Sequence, residues 1–226
     1  MRVGLLSLVV LVALNAEAAT PNAVVKALDD LRTCHRIDDP VCRGVPVRLK
    51  NYGGRAVKPL MKAFPGLSPA GQLLGVVALK GIDDKSATKA LIALSSDSGY
   101  LIRTVSLAAL GDRKGRAVDK ALIKALADDA AAIRAAAAES LGKVMRKRDM
   151  KRTVPALVKA TGDKEMTVRV ASLESLGFLG AVSALDTIVR ALDSRQLSVR
   201  KSAVFSLRLL ADKRSVPALM EILKEE

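Results

Sequence analysis

Apolar residues along this chain recur in paired blocks rather than alternating singly. The first block of each pair covers Ala87–Leu94, Ala117–Leu126, Val154–Ala160, Leu185–Leu192 and Val216–Leu223. The second covers Leu101–Leu110, Ile133–Leu141, Val168–Leu176 and Val199–Leu207. Within a block, apolar positions fall at i, i+1 and i+4 or i+5, which is one face of a helix. No period-two alternation supports a strand. Pro155 and Pro217 suit the first turn of their helices, where a missing N–H loses no bond. Gly111, Gly142 and Gly177 close three of the four second blocks, where a left-handed residue readily stops a helix. The pattern predicts helix, turn, helix, glycine and loop, repeated.

Charged positions keep the same period. Arg103, Arg134, Arg169 and Arg200 stand 31, 35 and 31 residues apart, and Leu110, Leu141, Leu176 and Leu207 share those intervals. Asp97, Asp128, Asp163 and Asp193 follow them to within one residue. Such a period predicts an all-α fold, an α-solenoid of stacked helix pairs, because one unit cannot bury its apolar face alone. An aspartate ahead of a helix can cap its free N–H groups, and an arginine one turn in can reach turn carbonyls or a neighbouring unit. Identical residues in every unit suit a structural lattice better than a single active site.

Columns counted from the arginine separate packed positions from free ones. The second column (Val105, Ala136, Ala171, Ser202), the third (Ser106, Ala137, Ser172, Ala203) and the sixth (Ala109, Ser140, Ser175, Ser206) are small or modest, as close helix packing requires. The first column varies through Thr104, Ala135, Val170 and Lys201, and the fifth through Ala108, Glu139, Glu174 and Phe205. These two columns lie four residues apart and share one helix face. Variable chemistry beside constrained chemistry predicts an exposed stripe, the first place to expect a partner.

The consensus Val/Ile-Arg-x-x-Ala/Ser-x-x-x-Leu-Gly, preceded by Asp and by a Pro-Ala-Leu-Val type of helix, resembles the HEAT repeat. It is most similar to the short subclass of phycobilisome lyase subunits. Clear repeats cover residues 86 to 208, with a weaker unit at 56–81 and a half-repeat at 215–223. In the weaker unit Gly66 replaces the aspartate and Gln72 the arginine. The resemblance implies a HEAT-like superhelix over 56–226 behind an N-terminal helical cap at 19–55. It also implies second helices lining the concave surface and an Asp–Arg ladder running along the stack. Deoxyhypusine hydroxylases share the repeat and bind two irons through His–Glu pairs just after the arginine. Here those positions hold Thr104-Val105, Ala135-Ala136, Val170-Ala171 and Lys201-Ser202, so no metal, cofactor or catalytic residue is expected.

Charge adds a second surface. The net charge is +14 and the pI about 10.1. Arg113, Lys114 and Arg116 share one inter-repeat loop. Lys143, Arg146, Lys147, Arg148, Lys151 and Arg152 occupy or flank the next, and Lys213 and Arg214 a third. Stacked loops would gather these into a basic rim able to steer an acidic protein or an anionic envelope component. A nucleic-acid or generic polyanion binder is the alternative, though 2% aromatic content leaves little for base stacking. A second alternative is an accessory, lyase-like subunit of an enzyme.

The ends bear on compartment. Met1-Arg2, an apolar run through Leu14 and Ala16-Glu17-Ala18 predict a signal peptide over 1–18 and a periplasmic or secreted protein. That run is short of the roughly 20 apolar residues that span a bilayer. In an exported chain Cys34 and Cys42 predict a disulfide. The competing metal site at Cys34, His35 and Cys42 is one ligand short of a closed zinc site.

Overall fold

The computed structural model describes residues 21–97, 99–143 and 150–222, and among them every regular element is a helix. The signal expected at 1–18 and the rim cations Arg146, Lys147 and Arg148 lie outside the described residues. Contacts divide the chain into two units after Ala93.

In the first unit, α1 (Pro21–Thr33) and α2 (Pro40–Asn51) precede a helix pair, α3 (Gly54–Ala63) and α4 (Pro69–Gly81). Asp39 starts α2 by accepting the Val41 and Cys42 N–H groups, with Pro40 at the first helical position. Cys34 and Cys42 are bonded, tying the end of α1 to the start of α2. Arg48 of α2 adds an ion pair to Asp30 of α1 at 2.7 Å. Leu31, Leu49, Leu60 and Leu79 are fully buried and form the centre of this core. Burial of such leucines stabilises by roughly 1.5–3 kcal/mol each. The helices of 19–55 thus pack directly on the weaker repeat at 56–81, α1 and α2 both touching α4.

The second unit alternates first and second helices. The division falls inside α5 (Lys85–Asp97), and after it come α6 (Tyr100–Gly111), α7 (Arg116–Ala125), α8 (Ala131–Gly142), α9 (Met150–Ala160) and α10 (Met166–Phe178). Then follow α11 (Leu185–Arg190), α12 (Leu197–Leu210) and the short α13 (Val216–Ile222). The second helices α6, α8, α10 and α12 stack one on the next, and α7, α9 and α11 pack against α8, α10 and α12. Leu110, Leu122, Ile133, Leu141 and Leu157 are fully buried between these layers.

Two expectations about local chemistry are corrected. Helices α6 and α8 do end on Gly111 and Gly142, and α10 one residue past Gly177, but none of the three is left-handed; among the described residues the glycines with positive φ are Gly53, Gly115 and Gly180. Their role is close approach: a β-carbon on Gly142 would lie 2.7 Å from the Ser175 Cα, and one on Gly177 2.7 Å from the Ser206 Cα. The second helix that does end in a left-handed residue is α12, at Ala211, where no glycine is present. Pro155 is likewise not in a first turn. It stands inside α9, because Met150–Thr153 extends that helix backward, and its exposed side lets water satisfy the carbonyl left without a donor. Pro217 does lie in the first turn of α13.

Candidate binding surface

The recurrent charges are consumed between units. Arg103 reaches Asp128 at 2.7 Å. Arg134 grips Asp163 with two bonds, Nε to Oδ2 at 2.7 Å and Nη2 to Oδ1 at 2.8 Å. The same guanidinium donates to the carbonyls of Asp128 and Asp129, so one side chain holds its own turn and the next. Arg169 repeats the turn contacts to Asp163 and Lys164 but extends to the Gln196 amide oxygen instead of Asp193. Asp193 stands one residue out of register. Ser194 takes its place, giving its carbonyl to Arg200 and its hydroxyl to the Gln196 N–H. The side chain of Asp97 lies outside the described residues.

The aspartates also act one step earlier than expected. Asp128 and Asp163 accept the N–H groups of Ala130 and Glu165, two residues on, and so shape the turn rather than cap the helix. The Arg134–Asp163 pair is the most shielded rung, with side chains 7% and 13% exposed. The guanidinium holds the Asp163 carboxyl below the usual carboxylate range, and the carboxylate raises Arg134 in turn. An open cleft of about 660 Å³ borders this rung, but its walls include these same paired charges.

The expected stripe faces outward. Ala108, Glu139 and Lys201 are exposed, while Thr104, Ala135, Val170, Glu174 and Phe205 are half-buried. Glu174 accepts the Ser202 hydroxyl at 3.0 Å, joining α10 to α12 on this face. One more turn along the same ridge adds Asp112, Lys143, Phe178 and Leu209, which the two-column reading missed. Continuing the i+4 spacing one step past the glycines finds them, two of them at the C-caps of α6 and α8. Phe178 and Phe205 meet edge to face, centroids 5.6 Å apart, and the Arg208 guanidinium lies 5.1 Å from the Phe205 centroid. Two of the chain's three phenylalanines therefore sit on a surface rather than in a core. Lys143 lies on the stripe as well, donating to the Ala108 carbonyl and to Asp112.

The basic rim is only partly displayed. Lys114, Arg116, Lys151 and Arg152 are exposed, whereas Arg113 is buried, which corrects its placement among the steering cations. Arg214 is held by Asp212 through bonds of 3.0 and 2.7 Å. His35 is exposed, and its two neighbouring cysteines are bonded to each other rather than to a metal. Among the described residues no cluster of His, Cys, Asp or Glu could hold a metal ion, and no helix is long and apolar enough to cross a membrane.

Comparison with known proteins agrees with this geometry. Residues 120–208 match the model of HEAT repeats, and residues 199–225 that of the PBS lyase HEAT-like repeat. Among curated proteins no sequence matches the chain. The complex of CpcE and CpcF of phycocyanin lyase from Nostoc sp. PCC7120 overlays with a TM-score of 0.54 at 22% identity, covering 67% of this chain and 98% of that one. A designed armadillo repeat protein in complex with the peptide (KR)4 overlays with a TM-score of 0.50 at 14% identity, covering 82% and 98%. Human deoxyhypusine hydroxylase in complex with glycerol overlays at only 0.43, with 17% identity and coverage of 86% and 92%, too loosely to bear on chemistry. The structural likeness is one of fold: helical repeats stacked into a solenoid.

Proposed function

We propose that this chain, a HEAT-repeat protein of the phycobilisome-lyase type, is a non-enzymatic binding scaffold exported to the periplasm or beyond. The stripe on α6, α8, α10 and α12 makes the contacts. Lys114, Arg116, Arg146, Lys147, Arg148, Lys151 and Arg152 steer a protein partner or an anionic envelope component toward it. One observation carries this reading: the recurrent charged residues are spent on cohesion, whereas the variable ridge ends in an accessible Phe178–Phe205–Arg208 cluster. Aromatic and arginine side chains of this kind dominate protein-binding hot spots. The phycocyanin lyase complex and the peptide-bound armadillo protein are assemblies on the same kind of fold, which supports the scaffold reading without naming a partner.

The test is affinity capture from envelope extract. Wild type should recover the same partner repeatedly, and Phe178→Ala with Phe205→Ala should reduce its recovery at least tenfold. Charge reversal at Arg146, Arg148 and Arg152 should slow capture and flatten its salt dependence. Equal recovery by the phenylalanine double variant would sink the stripe reading. Equal retention of DNA, heparin and anionic vesicles across a salt series would replace it with generic polyanion binding.

A further inference from the structure

Three of the four second helices in residues 94–222 present the same docking ridge to the next. On α6 it is Arg103, Leu107 and Gly111; on α8, Arg134, Ala138 and Gly142; on α10, Arg169, Leu173 and Gly177. In all three, the arginine finds an acceptor on the following unit: Asp128, Asp163 or Gln196. The middle residue is fully buried in each. The glycine admits a backbone at van der Waals distance, the Ser175 and Ser206 Cα atoms lying against Gly142 and Gly177.

On α12 the ridge reads Arg200, Val204 and Arg208, and every feature changes. Arg200 keeps its own turn, donating to the Ser194 carbonyl at 2.7 Å, but no side-chain acceptor faces it among the described residues. Val204 is 40% exposed where its three counterparts are sealed. Arg208 stands in the glycine position and is exposed. A further helix at glycine spacing would drive its backbone into the Arg208 Cβ, so this ridge is not shaped for another repeat of the same kind. Its guanidinium is instead held over the Phe205 ring.

We infer that the Arg200–Val204–Arg208 ridge is a second docking surface, fitted to an acidic helix of a partner protein. The charge pattern selects that occupant. The arginine nearer the start of the ridge has a side-chain acceptor in every earlier interface and none here among the described residues. A second cation has been added at the far end, with one apolar side chain between them. A partner helix with a carboxylate near each end and a small apolar face between would complete both guanidiniums and cover Val204. This surface adjoins the stripe used in the proposed function and shares Arg208 with it. Arg200 and Val204 belong to this surface alone and Phe178 to the stripe alone, so Arg200→Gln and Phe178→Ala tell the failure of one from the failure of the other.

The test uses the full chain and a labelled, alanine-based helical peptide. The peptide carries an aspartate just ahead of its helix and a glutamate twelve positions on, copying the interval from Asp163 to Ser175. Its control replaces these by asparagine and glutamine. Fluorescence anisotropy at low salt should give at least tenfold tighter binding for the acidic peptide. Arg200→Gln with Arg208→Gln should remove that preference, while Arg214→Gln, whose cation is already paired with Asp212, should leave it intact. Unchanged circular dichroism of the double variant shows that the loss is not unfolding. Equal binding of both peptides, or a preference that survives the double variant, would overturn the inference. So would a dimer in sedimentation equilibrium that Arg208→Gln dissociates, because the occupant would then be a second copy.

Discussion

Gln72 of α4 and Arg134 of α8 occupy the same repeat position, and both turn back onto the turn ahead of their helix. Gln72 makes one such bond, to the Phe64 carbonyl at 3.3 Å. Arg134 makes two to its own turn and two more to Asp163 of the next unit. The difference is reach and donor number: a guanidinium has five N–H donors in a fork, an amide two on a shorter stem. Residues 94–222 can therefore cohere through a charged ladder, and residues 21–93 cannot. There the Cys34–Cys42 bond and the Arg48–Asp30 pair join the helices instead. Over a core of buried leucines in both, one region adds a covalent clip between α1 and α2 and the other a ladder of shielded charge.

Removing Arg134 tests that contrast most severely. Arg134→Ala leaves the Asp163 carboxylate shielded and without its main partner, which should cost about 3–5 kcal/mol. Hydrogen exchange should show protection lost in α8 and α10 and kept in α2 and α4. Arg134→Met with Asp163→Leu should restore most of it, since the uncompensated charge is gone. By contrast Arg36→Ala, in the exposed Arg36–Asp38 pair, should leave the melting midpoint within error.

Opening the disulfide is the converse experiment. Cys34→Ser with Cys42→Ser frees a short loop and should destabilise residues 21–93 by about 2–3 kcal/mol, in the chain-entropy account. Exchange rates in α8 and α10 should stay put. A matching loss there would show that the two regions do not cohere separately.

Smaller effects come from single glycines. Gly142→Ala forces a shift of α10 and should lose about 1–3 kcal/mol. Gly44→Ala, inside α2 with nothing within 4 Å of the added carbon, should instead gain roughly 0.5–1 kcal/mol. Thermal melts of the two variants should move in opposite directions.

Acid gives the mildest contrast. The Asp163 carboxyl is held below its unfolded value of about 3.8 by Arg134. Its contribution is complete above that value and disappears as pH falls through the lower folded one. Exchange in α8 and α10 should accelerate over that window, and Asp163→Asn should abolish the dependence. Asp38 and Asp84 of the first region are also lowered, by Arg36 and Ser86. Added salt should mask the share of the exposed Asp38–Arg36 pair but not that of Asp84, whose donors are neutral.

Period and apolar spacing make the helix pairs, their order and the variable stripe legible in the sequence, because a 3.6-residue period and stacking by nearest neighbours follow from the order of apolar residues. Helix ends were less legible. Gly142 closes α8 without a left-handed turn and also admits a neighbour, and its own stretch of sequence cannot show the second role. The Ser175 backbone lying against it decides. The ladder was half readable: the arginines align, yet Asp193 looks like a rung until Ser194 and Gln196 are seen to take the turn and the contact. Arg208 follows Leu207 and so stands visibly in the glycine column, but nothing in its neighbourhood shows that its guanidinium lies over Phe205. Identity and spacing are inherited along the chain, whereas the partner of each side chain comes from a residue some thirty positions away. Close approach, burial of charge and the face left open are properties of that pairing.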